Sequence, residues 1–318
     1  MELSHADVRA AREVVGRYLP PTPMWSYPVL DAEVGATVLV KHENTQPVGA
    51  FKVRGGLTLL AALPDRERGT VTYSTGNHAQ SMAYASHVFG VPCTVVMPAA
   101  ANPAKAAAVA AWGATVVLAG EDLAAAEDHA VALAASTGAR LVSPGDTPEL
   151  IAGVGTLYQE IFEARPGLSA VLVPVGSGSG AAAAIIVARE LAPRCEVIAV
   201  QSSASPAAYE SWRDKTLYNR PNRTRVDGLA TGRGFALPQS ILRAGRLSAG
   251  LSDFLLVSDE QIADAQRVLA RSAHTLAEGA GAAGLAAVLA DRERFAGRAI
   301  AVVCTGGNAS AAEISAMQ

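Results

Sequence analysis

The stretch "AVLVPVGSGSGAAAAIIVARELAPRCEVIAVQ", residues 170–201, reads as strand, glycine loop, helix and strand. Its ends, "AVLVPVG" (170–176) and "CEVIAVQ" (195–201), are short, β-branched and apolar almost without a break. That is the pattern of strands buried on both faces. The same alternation recurs to the N-terminal side. "TVTYST" (70–75), "PCTVVMP" (92–98), "ATVVLAG" (114–120) and "ARLVSP" (139–144) are strand-like, with helix-like segments between them. Glycines 90, 113 and 138 stand where such helices should end. To the C-terminal side, "DFLLVS" (253–258) and "RAIAVVCTGG" (298–307) continue the series. Repeated βα units imply parallel sheets and an α/β chain of two domains. The small domain is expected at 42–143 and the larger one at 1–41 plus 144–318. Residues 203–240, polar and rich in Arg, Pro and Gly, are expected to be an irregular excursion that covers the site.

Composition narrows the class. The 318 residues are half apolar and carry a net charge of −3. They contain no basic run or basic–aromatic stripe, which argues against nucleic acid as a partner. The longest apolar runs, such as "AAAAIIVA" (181–188), fall far short of the ~20 residues of a spanning helix. "MELSHADVRAAREVVGRYL" alternates charged and apolar residues at helical spacing and lacks the apolar core of a secretory signal. The expectation is a cytoplasmic protein with no membrane partner. Cys93, Cys195 and Cys304 are too few and too scattered for a disulfide framework and read as buried free thiols. Histidines 5, 42, 78, 87, 129 and 274 show no ligand spacing, so no metal is expected.

Three strand-to-helix turns hold the candidate chemistry. In the first, Gly176, Ser177, Gly178, Ser179 and Gly180 offer backbone N–H groups and two hydroxyls at a helix start, where phosphate binds well. A Walker loop would need a lysine there, and a dinucleotide fingerprint would need GxGxxG with an acid at the end of the next strand, where Gln201 stands. A single phosphate group fits better; a plain tight turn is the alternative. "GSGSG" also matches the letters of a serine nucleophile elbow, but a phosphate cradle accounts for both serines. The second turn, "STGNHAQ" (74–80), places Ser74, Thr75, Gly76, Asn77 and His78 where a helix needs a cap. It also suits a small carboxylate, because α/β sheets bind ligands at the C-terminal ends of their strands. The third, "CTGGN" (304–308), presents Thr305 beside two glycines, or simply a turn with Asn308 as cap.

The remaining candidate is an amine. "HENTQPVGAFKVRGG" (42–56) sets Lys52, one of only four lysines against 22 arginines, between Phe51 and Val53. Lys41 ends a strand among charged neighbours, Lys105 is expected to face outward on an Ala-rich helix, and Lys215 lies in a polar loop. A phosphate cradle plus a lysine in apolar surroundings suggests pyridoxal 5'-phosphate, which forms a Schiff base with an amine that desolvation keeps neutral.

These motifs resemble those of the fold type II pyridoxal-phosphate enzymes, in particular the threonine/serine dehydratase and serine racemase group. "KHENTQPVGAFKVRGG" is similar to the segment around that group's cofactor lysine, with Ala50 where Ser is usual. "STGNHAQSMAYAS" is similar to its Ser-x-Gly-Asn-His loop, and "PVGSGSG" to its tetraglycine phosphate loop, with serine at two positions. "ELIAGVGT", "VDGLATG", "EGAGAAGLAAVL" and "CTGGN" follow in the same order, so the resemblance spans nearly the whole chain. It implies a tryptophan-synthase-β-like fold: two mostly parallel twisted sheets flanked by helices, with the active site in the cleft between the domains. It implies a lyase that acts on a small amino acid, a β-hydroxy amino acid such as L-threonine or L-serine, releasing a 2-oxo acid and ammonia. The alternatives on the same scaffold are a racemase or a β-replacement enzyme. A homodimer is implied by the group alone.

The resemblance also assigns residues. Lys52 would carry the cofactor and act as base, with Phe51 packed against the cofactor and Asn77 bonded to its ring oxygen. Gly176, Ser177, Gly178, Ser179 and Gly180 would hold the phosphate. Ser74, Thr75, Gly76, Asn77 and His78 would receive the substrate carboxylate. Thr305 would meet the pyridine nitrogen, Gly228 would lie near the reacting amine and Glu278 near the cofactor. A hydroxyl at that nitrogen need not protonate it, which makes the ring a milder electron sink and suits elimination.

Three departures stand out. Thr75 replaces a serine that works opposite the lysine in racemases. Gln201 replaces an acid that binds a divalent cation in many relatives, so no such site is expected. The chain ends at 318, which leaves no room for the regulatory domain of biosynthetic threonine deaminases.

Overall fold

The computed structural model describes residues 3–244 and 250–317. Helix α1 (His5–Val15), strand β1 (Met24–Trp25), helix α2 (Pro28–Val34) and strand β2 (Thr37–His42) come first. The lysine-bearing loop then leads through α3 (Val53–Ala62) to β3 (Thr70–Tyr73), α4 (Asn77–Phe89) and β4 (Cys93–Met97). Next are α5 (Pro103–Ala110), β5 (Thr115–Leu118), α6 (Leu123–Thr137), β6 (Arg140–Val142) and α7 (Pro148–Ala164). The stretch 170–201 supplies β7 (Ala170–Pro174), α8 (Ser179–Leu191) and most of β8 (Glu196–Ser202). Helices α9 (Ala207–Asp214) and α10 (Ala236–Arg243) precede β9 (Asp253–Val257) and α11 (Asp259–Ala273). The chain closes with α12 (Gly279–Ala290), α13 (Arg292–Phe295), β10 (Ala299–Cys304) and α14 (Ala311–Ala316).

Two sheets result. One runs β1-β2-β10-β7-β8-β9 and is parallel except for β1–β2; the other runs β5-β4-β3-β6 and is parallel throughout. The unbroken apolar strands follow from packing on both faces. Val171 and Val173 of β7 enter one core with α7 and α8, while Ala170 and Leu172 enter another with α11 and α12. In the smaller sheet, Val95 and Met97 face one core and Val96 the other. Successive strand residues point to opposite faces, so a sheet covered on both sides tolerates polar residues on neither. The alanines of α8 let that helix lie deep: residues 179–188 are all buried.

Strand order creates two switch points. In the larger sheet the chain goes β7→β8→β9 and then returns to β10 on the other side of β7. In the smaller one it goes β3→β4→β5 and returns to β6 beside β3. Loops leaving adjacent strands in opposite directions open a crevice at each such point, and ligands bind there. The turns after β3, β7 and β10 are the three polar turns singled out in the sequence.

Helix α3 is held between α4 and α7 at backbone distance. A Cβ at Gly56 would come within 2.6 Å of Ser81 Oγ, and one at Gly153 within 2.4 Å of the Arg54 carbonyl oxygen. Beneath α3 lies a buried ion cluster. Arg54 donates to both oxygens of Glu43, each at 2.8 Å, and to Glu160 at 2.6 Å. Lys41 also meets Glu160, at 2.5 Å.

The structure sharpens or corrects the sequence reading in several places. Lys41 stands near the end of β2 among charged neighbours, as read, and is buried in an ion pair with Glu160 because its strand leads into this cluster. Residues 203–240 hold α9, a 3-10 turn at Asp227–Leu229 and the start of α10, so the segment is not simply irregular. Strand β1 is antiparallel and has two residues, too short to leave a pattern. Gln201 is buried at the end of β8, where its Oε1 accepts the Tyr209 N–H at 3.0 Å. The three cysteines are buried and unpaired, as read. Among the described residues, no helix is long and apolar enough to cross a membrane.

Candidate active site

Lys52 sits at the entry to α3, where the loop bearing it is laced to the turn after β10. The Phe51 N–H donates to the Thr305 carbonyl at 3.0 Å, and Gly307 N–H to Gly49 at 2.9 Å. Ala50, fully buried, bridges Gly306 in the same ladder. This directs the lysine toward the turn after β7. Its Nζ lies 2.7 Å from Ser179 Oγ, 3.2 Å from Ser177 Oγ and 3.4 Å from the Pro144 carbonyl oxygen. All three partners are neutral. Desolvation by the surrounding protein lowers the amine's pKa to about 8.

The turn after β7 is built for close approach. Gly178 adopts a left-handed φ of 90°, and a Cβ at Gly176 would stand 2.3 Å from the Gly228 carbonyl oxygen. No side chain caps α8, so its first N–H groups open onto the cleft. Across the cleft α4 is likewise uncapped. The expected capping there is absent, because Ser74 Oγ instead accepts the Gly76 N–H at 3.2 Å within its own turn. Nor does Asn308 cap a helix: its Nδ2 donates to Val48 at 2.9 Å and to Asn77 Oδ1 at 2.8 Å. Asn77 in turn donates to Glu278 Oε1 at 2.6 Å. Glu278 is buried, and its pKa is pushed up to about 7, chiefly by burial. The His78 ring lies beneath the sheet, 2.8 Å from Thr72 Oγ1, and burial lowers its pKa to about 3. Its imidazole is therefore neutral, and its hydrogen bond to Thr72 gives it a structural role.

The cleft between these turns has a volume of about 360 Å³. Phe51, Lys52, Ser74 to His78, Gly176 to Gly180, Gly228, Glu278 and Thr305 all line it, so every residue singled out in the sequence comes to one place. Sequence reasoning missed Tyr73, Glu127 and Thr231, which also line the cleft. Arg233 comes from the 203–240 excursion expected to cover the site, whereas Glu127 is one acid on an alanine-rich helix with nothing to mark it. Lys105 does not face outward; it pairs with Asp227 at the rim.

The sequence model of the family described as "Pyridoxal-phosphate dependent enzyme" matches residues 16–306. The chain belongs to this family. It is 35% identical to the L-threonine ammonia-lyase of Thermotoga maritima, over 95% of this chain and 75% of that protein. It is 32% identical to the L-threo-3-hydroxyaspartate ammonia-lyase of Saccharomyces cerevisiae, over 96% of this chain and 93% of that protein. Among solved structures, maize serine racemase superposes with a TM-score of 0.91 at 26% identity, covering 99% of this chain and 96% of that one. The protein is thus a pyridoxal-phosphate-dependent lyase of fold type II. The residues present suit the cofactor: a glycine turn packed too closely for a Cβ at Gly176 or Gly178, two hydroxyls at an uncapped helix start, and an amine of lowered pKa beside them.

Proposed function

We propose that the chain is an ammonia-lyase that converts a small β-hydroxy amino acid, such as L-threonine or L-serine, to a 2-oxo acid and ammonia. The observation that carries this reading is the placement of Lys52. Its amine stands between Ser177 and Ser179 at the head of α8, with no carboxylate to hold it charged. In this reading Gly176 to Gly180 bind the cofactor phosphate through N–H groups and the two hydroxyls. Phe51 packs against the ring, Asn77 uses its remaining N–H for the ring oxygen, and Gly228 leaves room for the reacting amine. When bound, the cofactor supplies an electron sink for charge left at the substrate Cα.

The chain's own residues then divide the work. The open N-terminus of α4, with Ser74, Thr75 and Gly76, receives the substrate carboxylate and so orients Cα. Lys52, its amine free, would take the proton from Cα. A pKa near 8 leaves a usable neutral fraction at neutral pH. Thr305 offers its hydroxyl to the ring nitrogen without forcing a proton onto it, and Glu278 stands behind the turn that holds Thr305. Thr75 offers a hydroxyl toward the substrate on the side opposite Lys52.

An assay for 2-oxo acid and ammonia over a panel of β-hydroxy amino acids, with chiral analysis of unreacted substrate, tests the proposal. Equal yields of 2-oxo acid and ammonia from L-threonine or L-serine are expected. Accumulation of the D-enantiomer without 2-oxo acid would show a racemase instead.

A further inference from the structure

Five charged side chains are among the described residues that line the cleft: Lys52, Arg233, Glu127, Asp227 and Glu278. Three are acids. Of the two bases, Lys52 belongs to the cofactor in the reading above. The other base is paired through both terminal nitrogens. Arg233 Nη1 lies 2.7 Å from Glu127 Oε2, and Nη2 lies 2.9 Å from both Glu127 Oε1 and Tyr73 Oη. Tyr73 Oη donates to the same carboxylate at 2.6 Å, closing the triangle. The guanidinium also stacks on Phe235, 4.5 Å from the ring centroid. At the rim, Lys105 and Asp227 neutralise each other.

The position of this triangle matters. Tyr73 is the last residue of β3, directly before the turn proposed to take the substrate carboxylate. Glu127 comes from α6, and Arg233 reaches across from the segment before α10. A carboxylate on a substrate side chain would meet Glu127 here. To pair with the Nη1–Nη2 edge of Arg233 it would have to displace Glu127 and leave that part-buried acid without its partner. An uncharged methyl or hydroxymethyl group meets no such opposition.

We propose that Glu127, with Tyr73 and Arg233, is the specificity element of the cleft, admitting uncharged β-hydroxy side chains and rejecting acidic ones. The proposal rests on the lyase reading and chooses among its substrates. It is tested on the holoenzyme with L-2-aminobutyrate and L-aspartate, which lack the β-hydroxyl and differ in side-chain charge. Their dissociation constants are read from the change in cofactor absorbance. Alongside, kcat/KM is measured for L-threonine and L-threo-3-hydroxyaspartate. The wild type should favour the uncharged member of each pair by about tenfold or more. Glu127→Gln keeps the shape, removes the negative charge and releases Arg233, so each ratio should move at least about tenfold toward the acidic member. Equal or tighter binding of L-aspartate by the wild type would overturn the proposal, whether or not the variant folds. So would unchanged ratios in a folded Glu127→Gln protein. A holoenzyme that prefers L-2-aminobutyrate yet releases no 2-oxo acid would support the specificity element while contradicting the lyase reading. Preferred turnover of L-threo-3-hydroxyaspartate would do the reverse.

Discussion

Lys52 differs from the other described lysines in what surrounds it. Lys41 and Lys105 are paired with carboxylates, whereas Lys52 donates only to two serine hydroxyls and a backbone carbonyl. With burial unopposed, its pKa falls to about 8. The neutral amine is the nucleophile, and it exists above the pKa. The rate at which the apo protein captures pyridoxal phosphate should therefore rise as pH passes through about 8. An ordinary lysine would show that rise near pH ~10.4. Stopped-flow absorbance across pH 6–11 (about the usable range) reads this directly, and a rise confined to the upper end would contradict it. Lys52 could be singled out in the sequence because its neighbours are apolar. The partners of Lys41 and Lys105 could not, because Glu160 and Asp227 lie 119 and 122 residues away.

At the scale of elements, the site depends on helix starts left uncapped and on one helix fixed tightly. Helix α3 follows Lys52 directly, and Arg54, two residues on, anchors it to the buried Glu43 and the largely buried Glu160. Burial pushes the Glu43 carboxyl up, but the Arg54 charge and its hydrogen bonds hold it below the usual carboxylate range. Replacing Arg54 by Ala would strand that carboxylate. Loss of one partner of a buried pair costs about 3–5 kcal/mol, which urea unfolding would measure; a loss below about 1 kcal/mol, the range of an exposed pair, would contradict the assignment. The parallel strands were legible because burial on both faces forces continuous apolar runs. The starts of α4 and α12 were harder to judge, since neither carries a side-chain cap. Helices α9 and α10 were hidden by the Arg, Pro and Gly content of their segment. Each has eight residues and relies on packing rather than propensity.

At the scale of the whole molecule, two sheets present their switch points to one cleft. Strand order sets this arrangement, and it comes from pairings such as β10 between β2 and β7, which no local pattern announces. The three polar turns were visible in the sequence as turns, and the resemblance alone suggested that they share a site. The cross-cleft pairs Arg233–Glu127 and Lys105–Asp227 emerged only in three dimensions. The central claim is that this convergence makes Lys52 the cofactor anchor. Incubation with pyridoxal phosphate, reduction with borohydride and peptide mapping by mass spectrometry test it most directly. The expected result is one pyridoxyl group per chain, on Lys52, and none on the Lys52→Ala variant. Label on Lys41, Lys105 or Lys215 in its place, or no label at all, would contradict it.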